Sequence, residues 1–220
     1  MSFNFLIFDL DGTLIDSQRD IASAVNSVRE KYDCDHLPVE LVRSYLGNGI
    51  DTLIKKAVPE KMKKGIIKTE VRAELFRLFE FYYERCLTDT TVTYPGVIEM
   101  LEALKSKKKA ILSNKSEYFA YKIVKRLKVS DYFIKVWGGD SLKGVRKPDP
   151  KPITDLIKLT DSDISKSLMI GDSANDFLAA KSAGIPCVAV LYGYSDIEQI
   201  KQYNPDFIAK TPKDIIDIVS

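Results

Sequence analysis

The stretch Phe3-Asn4-Phe5-Leu6-Ile7-Phe8-Asp9-Leu10-Asp11-Gly12-Thr13 decides how this chain is read. It opens as a short apolar run with the composition of a strand. It closes on two carboxylates and a glycine that permits a sharp exit. In extended backbone the two-residue spacing puts Asp9 and Asp11 on one side. Neighbouring carboxylates are costly unless a cation or a shared proton relieves them. Alone, the stretch also fits a polar turn after a strand, so its meaning depends on what the rest of the chain places beside it.

Working outward, strand-like runs rich in Phe, Ile, Leu and Val recur at 109–112, 132–137, 167–170, 186–191 and 206–209. Most are followed by helical spacing, as in Val97, Met100, Leu101 and Leu104, or Phe119, Ile123, Val124 and Leu127. Such alternation predicts βαβ units, hence an α/β fold with a parallel sheet flanked by helices. Asn114 with Glu117 has the spacing of a capping box, and Thr211-Pro212 that of an N-cap with proline in the first turn. Between Ser17 and Leu87 the alternation stops. There the apolar residues Val71, Leu75, Leu78, Phe79 and Tyr82 form one helical stripe, which predicts an inserted helical domain.

With 220 residues and 45% hydrophobic composition, the chain has enough material for one domain carrying an insert. The 33 basic and 31 acidic residues leave +2, too little to draw nucleic acid or an acidic membrane by net charge. Cys34, Cys86 and Cys187 are odd in number and widely spaced, which suggests neither a disulfide framework nor a zinc site. The N-terminus lacks the basic start of a signal peptide, and no apolar run reaches the roughly 18 residues of a membrane span. The expectation is a soluble, cytoplasmic protein. Lys105, Lys107, Lys108 and Lys109 read as a solvated helix end, and His36 as a surface residue.

Three further stretches could carry chemistry. Ser113-Asn114 follows a strand and opens a helix, offering a hydroxyl, an amide and free N–H groups to phosphate oxygens, although Asn114 also suits a helix cap. Lys147 sits in the proline-punctuated run Arg146-Lys147-Pro148-Asp149-Pro150. Gly171-Asp172-Ser173-Ala174-Asn175-Asp176 ends a strand and enters a helix, with Asp172 and Asp176 one turn apart. Its carboxylates suit a hard cation such as magnesium, or simply a helix N-terminus. All four stretches fall at strand ends or in the loop beyond one, the edge along which open parallel sheets bind ligands.

In order and spacing these stretches resemble the four motifs of the haloacid dehalogenase superfamily of phosphohydrolases. The resemblance covers essentially the whole chain. It implies a Rossmann-like core over residues 1–14 and 91–220, with a helical cap over 15–90. It implies that Asp9 is the nucleophile, forming an aspartyl phosphate, and that Asp11 acts as acid and then base. It places Mg2+ on Asp9, the Asp11 carbonyl and Asp172, with Asp176 in direct or water-mediated support. Ser113 and Lys147 would stabilise the transferring phosphoryl group, and Gly12, Thr13 and Asn114 would border it.

Within the superfamily, Val42-Arg-Ser-Tyr-Leu-Gly-Asn-Gly49, the run from Gly171 to Gly184, and Tyr192-Gly-Tyr194 are most similar to phosphoglycolate phosphatases. That implies 2-phosphoglycolate as substrate, with Arg43 meeting its carboxylate and Asn48 donating hydrogen bonds, unless the glycines around Asn48 merely form a turn. Other small phosphorylated metabolites, among them sugar phosphates, nucleotides and pyrophosphate, would need no change in the core chemistry. A phosphoglucomutase-like enzyme and a non-enzymatic module binding phosphate and magnesium remain as further readings. The oligomeric state is not legible.

Overall fold

The computed structural model describes residues 3–57 and 69–220. The chain divides into two compact units, Met1–Asp16 with Val92–Ser220 and Ser17–Thr91.

The first unit is built on a six-stranded parallel sheet. Its strands are β1 (Phe5–Phe8), β4 (Lys108–Leu112), β5 (Lys135–Trp137), β6 (Ser167–Gly171), β7 (Cys187–Val190) and β8 (Phe207–Ala209), in the order β5-β4-β1-β6-β7-β8. The sequence of β1, Phe-Leu-Ile-Phe, is apolar throughout, as suits a strand buried on both faces. Phe5, Ile7, Ala110, Leu112 and Met169 pack on one face with Ile153 and Leu156 of the helix Lys151–Leu159 and Phe177 and Ala180 of the helix Ala174–Ala183. By strand alternation Leu6 and Phe8 serve the other face, where Phe8 meets Phe133 edge to face with ring centroids 6.2 Å apart. The chain crosses from one side of β1 to the other between β5 and β6, so the switch point of the sheet lies at the C-terminal ends of β1 and β6. A two-stranded antiparallel ribbon, β2 (Ile15–Asp16) with β3 (Val92–Thr93), completes the unit at the points where the chain leaves and re-enters it.

The second unit is helical over the residues described: Gln18–Glu30, Val39–Arg43, Ile50–Ala57 and Thr69–Cys86. Leu75, Phe79, Tyr83 and Leu87 are its buried stripe along the last helix and just beyond, packed against the helix bearing Ile21, Val25 and Val28. Buried Arg29 donates from Nε to the Asp35 carbonyl at 2.7 Å and from Nη1 to the Ala57 carbonyl at 2.8 Å, placing a cation at a helix C-terminus. Buried Asp20 accepts from the backbone N–H groups of Thr90 and Thr91, the latter at 2.8 Å, and from both threonine hydroxyls at 2.6 Å.

Four local expectations are corrected. Tyr132 belongs to a 3-10 turn, Ser130–Tyr132, and β5 starts only at Lys135. The buried aromatic of the last helix is Tyr83, four residues after Phe79, whereas Tyr82 is half-buried. Helix Glu117–Arg126 is capped by Ser116, whose hydroxyl accepts from Phe119 N, because Asn114 lies too early and its amide is drawn to Lys147 O. Lys109 is not solvated. It lies on β4, buried, and its ammonium donates to the Leu104 and Lys107 carbonyls at the end of helix Val97–Ala103. The cation complements a helix terminus as expected, but from inside. Lys55 and Lys56 are exposed, and His36 pairs with Glu30 at 2.6 Å on the surface.

Candidate active site

Asp9 directly follows β1, and its backbone N–H still donates to Ile170 O of β6 at 2.9 Å. The chain then turns on the Leu10 carbonyl, which accepts from Thr13, Leu14 and Ile15. Gly12 has φ +86, and a Cβ there would lie 2.4 Å from the Asp172 carboxylate, so this turn closes only with glycine. Asp172 follows β6 and is itself held from behind. Its Oδ2 accepts from Tyr194 N at 2.8 Å, and a side chain at Gly193 would strike both Gly12 O and Asp172. Asp176 lies in the first turn of helix Ala174–Ala183, where its Oδ2 accepts from Ser173 N at 3.0 Å and Ser173 Oγ at 2.7 Å, a capping box.

Asp9, Asp172 and Asp176 thus converge, each buried, with one oxygen from each within 4.8 Å of the others. Lys147 reaches into the cluster from the loop before helix Lys151–Leu159. Its ammonium is 2.9 Å from Asp9 Oδ1 and 2.5 Å from Asp176 Oδ1. Burial, then the nearby Asp176 charge, pushes the Asp9 carboxyl up to about 7 despite Lys147. Burial, then Asp9 and Asp176, also holds Asp172 well above the usual carboxylate range. Burial pulls against the charge on Lys147, but Asp176 and Asp9 outweigh it and raise its pKa. One lysine therefore does not neutralise the cluster, and the carboxylates remain short of positive charge. An all-oxygen, buried, anionic donor set of this kind fits a hard divalent cation.

Around this centre, Ser113 and Asn114 follow β4 and are buried. Asn114 Nδ2 donates to Lys147 O at 2.9 Å, tying the two loops together, and Ser113 Oγ accepts from Lys115 N at 3.2 Å. Thr13, also buried, lies with its hydroxyl 3.5 Å from Asp172 Oδ1. Asp11 pairs with Lys115, Nζ to Oδ1 at 3.1 Å. The structure brings Asp9, Asp11, Gly12, Thr13, Ser113, Asn114, Lys147, Asp172 and Asp176 into this one unit. Arg43 and Asn48 belong to the helical unit. Arg43 ends helix Val39–Arg43, half-buried, and Asn48 is exposed between Gly47 (φ 90) and Gly49 (φ 79), a turn leading into helix Ile50–Ala57.

Sequence reasoning missed Lys115, although it directly follows Ser113-Asn114. It also missed the backbone support from Gly193 and Tyr194. For these the only signal was the short Tyr-Gly-Tyr run beyond β7.

The profile of the haloacid dehalogenase-like hydrolases matches residues 6–190. A phosphoglycolate phosphatase of Mannheimia succiniciproducens is 37% identical over 221 aligned positions, covering 99% of this chain and 98% of its own. One of Vibrio parahaemolyticus is 35% identical, covering 98% and 95%. A solved structure described as a predicted phosphoglycolate phosphatase from Haemophilus somnus superposes with a TM-score of 0.93 at 33% identity, covering 100% of this chain and 99% of that one. The chain belongs to the haloacid dehalogenase-like hydrolase family. It is a phosphoric monoester hydrolase. Among the described residues no helix is long and apolar enough to cross a membrane.

Proposed function

We propose that this enzyme is a magnesium-dependent phosphatase whose substrate is 2-phosphoglycolate, working through an aspartyl phosphate on Asp9. The observation that carries the chemistry is the buried Asp9, Asp172 and Asp176 cluster, which Lys147 alone leaves short of positive charge. The substrate reading rests on the relatives named phosphoglycolate phosphatase along nearly their whole length.

Magnesium would be held by the Asp9 and Asp172 carboxylates and the Asp11 carbonyl. Asp176 is assigned a supporting position, because its oxygens already accept from Lys147 and Ser173. When bound, the ion supplies the positive charge that lets a carboxylate nucleophile approach a phosphate dianion.

The chain's own groups perform the steps. The Asp9 carboxylate attacks phosphorus and the bond to the alcohol oxygen breaks, with Asp11 giving that oxygen its proton. Water then attacks the phosphoryl group on Asp9, and Asp11 takes the proton, so inorganic phosphate leaves and both carboxylates return to their starting state. Lys147 lies against Asp9 Oδ1 at 2.9 Å, where it can meet the phosphoryl oxygens as charge moves onto them. Ser113, Asn114, Gly12 and Thr13 border the same space. The helical unit is assigned the role of a cap that selects the substrate, with Arg43 for its carboxylate and Asn48 as a donor. A soluble cytoplasmic enzyme fits this metabolite chemistry.

The test is phosphate release from 2-phosphoglycolate, pyrophosphate, several sugar phosphates and a nucleotide, each with magnesium and with chelator. The expected result is the highest kcat/KM on 2-phosphoglycolate and none with chelator. Another leading substrate defeats the phosphoglycolate assignment. Turnover that survives chelation defeats the metal assignment.

A further inference from the structure

We propose that Lys115 is a specificity-determining residue that binds an anionic group on the leaving part of the phosphoester; this rests on the phosphatase reading above. The geometry that points to it is the pairing of the Lys115 ammonium with Asp11 Oδ1 at 3.1 Å, with the lysine side chain only 8% exposed. Asp11 is the group assigned to protonate the departing alcohol oxygen. A cation in contact with its carboxylate therefore lies within a few ångströms of whatever that alcohol carries. A substrate carboxylate held there would lie beside Asp11, which gains negative charge as it gives up its proton, and a cation between the two relieves that repulsion. Lys147 cannot be that cation, since it is already bound between Asp9 and Asp176, whereas a carboxylate has two oxygens and can be shared by Lys115 and the proposed Arg43. Asp11 in this view occupies in the substrate-free enzyme the place on Lys115 that the substrate's anion shares or takes.

The position of Lys115 is built rather than incidental. Its N–H donates to Ser113 Oγ at 3.2 Å, and its carbonyl accepts from Gly139 N at 2.7 Å. A Cβ at Gly138 would lie 2.5 Å from that same carbonyl, so two successive glycines let the loop after β5 close onto residue 115. The two loops are also joined by Glu117 N donating to Asp140 Oδ1 at 2.7 Å and by a contact between Ser141 Oγ and Glu117. The backbone that launches the lysine is thus fixed before substrate arrives, and a flexible side chain starting from a fixed root can follow a small anion.

The experiment compares kcat/KM for 2-phosphoglycolate with that for 2-hydroxyethyl phosphate, a neutral-leaving ester of similar size, in wild type, Lys115→Met and Lys115→Arg. Thermal melting serves as the folding control. A charged hydrogen bond of ordinary strength predicts that Lys115→Met lowers the anionic-to-neutral ratio about tenfold or more, and that Lys115→Arg retains most of it. If Lys115→Met slows both esters equally, the residue acts through Asp11 and the proposal is overturned. An unchanged ratio in a folded variant overturns it as well. Should Lys115→Met not fold, Lys115→Gln, which keeps a polar side chain without the charge, decides: a lowered anionic-to-neutral ratio supports the proposal, and an unchanged ratio overturns it. A wild-type enzyme that prefers the neutral ester defeats the phosphoglycolate reading itself, an outcome distinct from failure of Lys115 within a confirmed enzyme.

Discussion

Buried carboxylates occur in both units, and their surroundings differ in kind. In the helical unit Asp20 accepts from two backbone N–H groups and two hydroxyls contributed by Thr90 and Thr91, all neutral donors from the chain itself. Its charge is solvated internally, and the interaction joins the start of the first helix to the end of the unit 70 residues later. In the α/β unit Asp9, Asp172 and Asp176 face one another around Lys147, and burial together with mutual repulsion drives Asp9 and Asp172 upward. The first arrangement is complete without a ligand. The second stores unfavourable electrostatics that a cation can relieve, which is the pattern expected of a working site rather than a structural one.

Removing the central carboxylate gives the largest contrast. Asp9→Asn should lower turnover by about a thousandfold or more, while its melting temperature stays at or above that of the metal-free wild type, because one of the repelling charges is gone. Near wild-type phosphate release from the folded variant would exclude Asp9 as nucleophile. Asp20→Ala should do the reverse, costing about 3 kcal/mol of stability as four donors lose their acceptor, with activity surviving below the transition. Unchanged melting with lost turnover would place Asp20 among the reacting groups and erase the distinction.

The pH dependence of the metal-free protein sharpens the comparison further. Asp9 lies near 7 in the fold, against roughly 3.9 in an unfolded chain. The fold therefore holds this proton more tightly than the unfolded chain does. The Asp9 contribution is present below about pH 4 and is lost as pH rises through about 7. Thermal melts in chelator should show stability falling across that window, and Asp9→Asn should show a shallower fall. Magnesium at about 100 times its Kd should add roughly 2.7 kcal/mol at neutral pH; no shift on adding the ion would count against the cluster as its site. The smallest effect is expected for Arg43→Ala, about a tenfold loss in kcat/KM for 2-phosphoglycolate with little change on a neutral-leaving ester. Equal losses on both would remove Arg43 from substrate selection.

Much of the site was legible because its residues sit where local sequence marks them. Asp9 and Asp172 directly follow apolar strands, Ser113 and Asn114 do the same after β4, and Lys147 is set off by prolines. What escaped reading depends on partners distant in sequence or on burial that composition does not report. Lys109 resembled its exposed neighbours until β4 carried it beneath the helix end, and Asp20 showed no sign of Thr90 and Thr91. Nothing in the sequence marked Lys115, since its partner is Asp11 and its backbone support comes from Gly138 and Gly139.

By itself the sequence determined the α/β alternation, the helical insert and the strand-end positions of the acidic motifs, since periodicity, glycine and proline act over a few residues and need no distant partner. The tertiary structure decided which charges face one another: that Lys147 bridges Asp9 and Asp176, that Lys115 meets Asp11, and that Asp20 is satisfied while Asp172 is not. Electrostatic energy depends on distance and burial in space, and both are set only when the parallel sheet brings the ends of β1, β4 and β6 together.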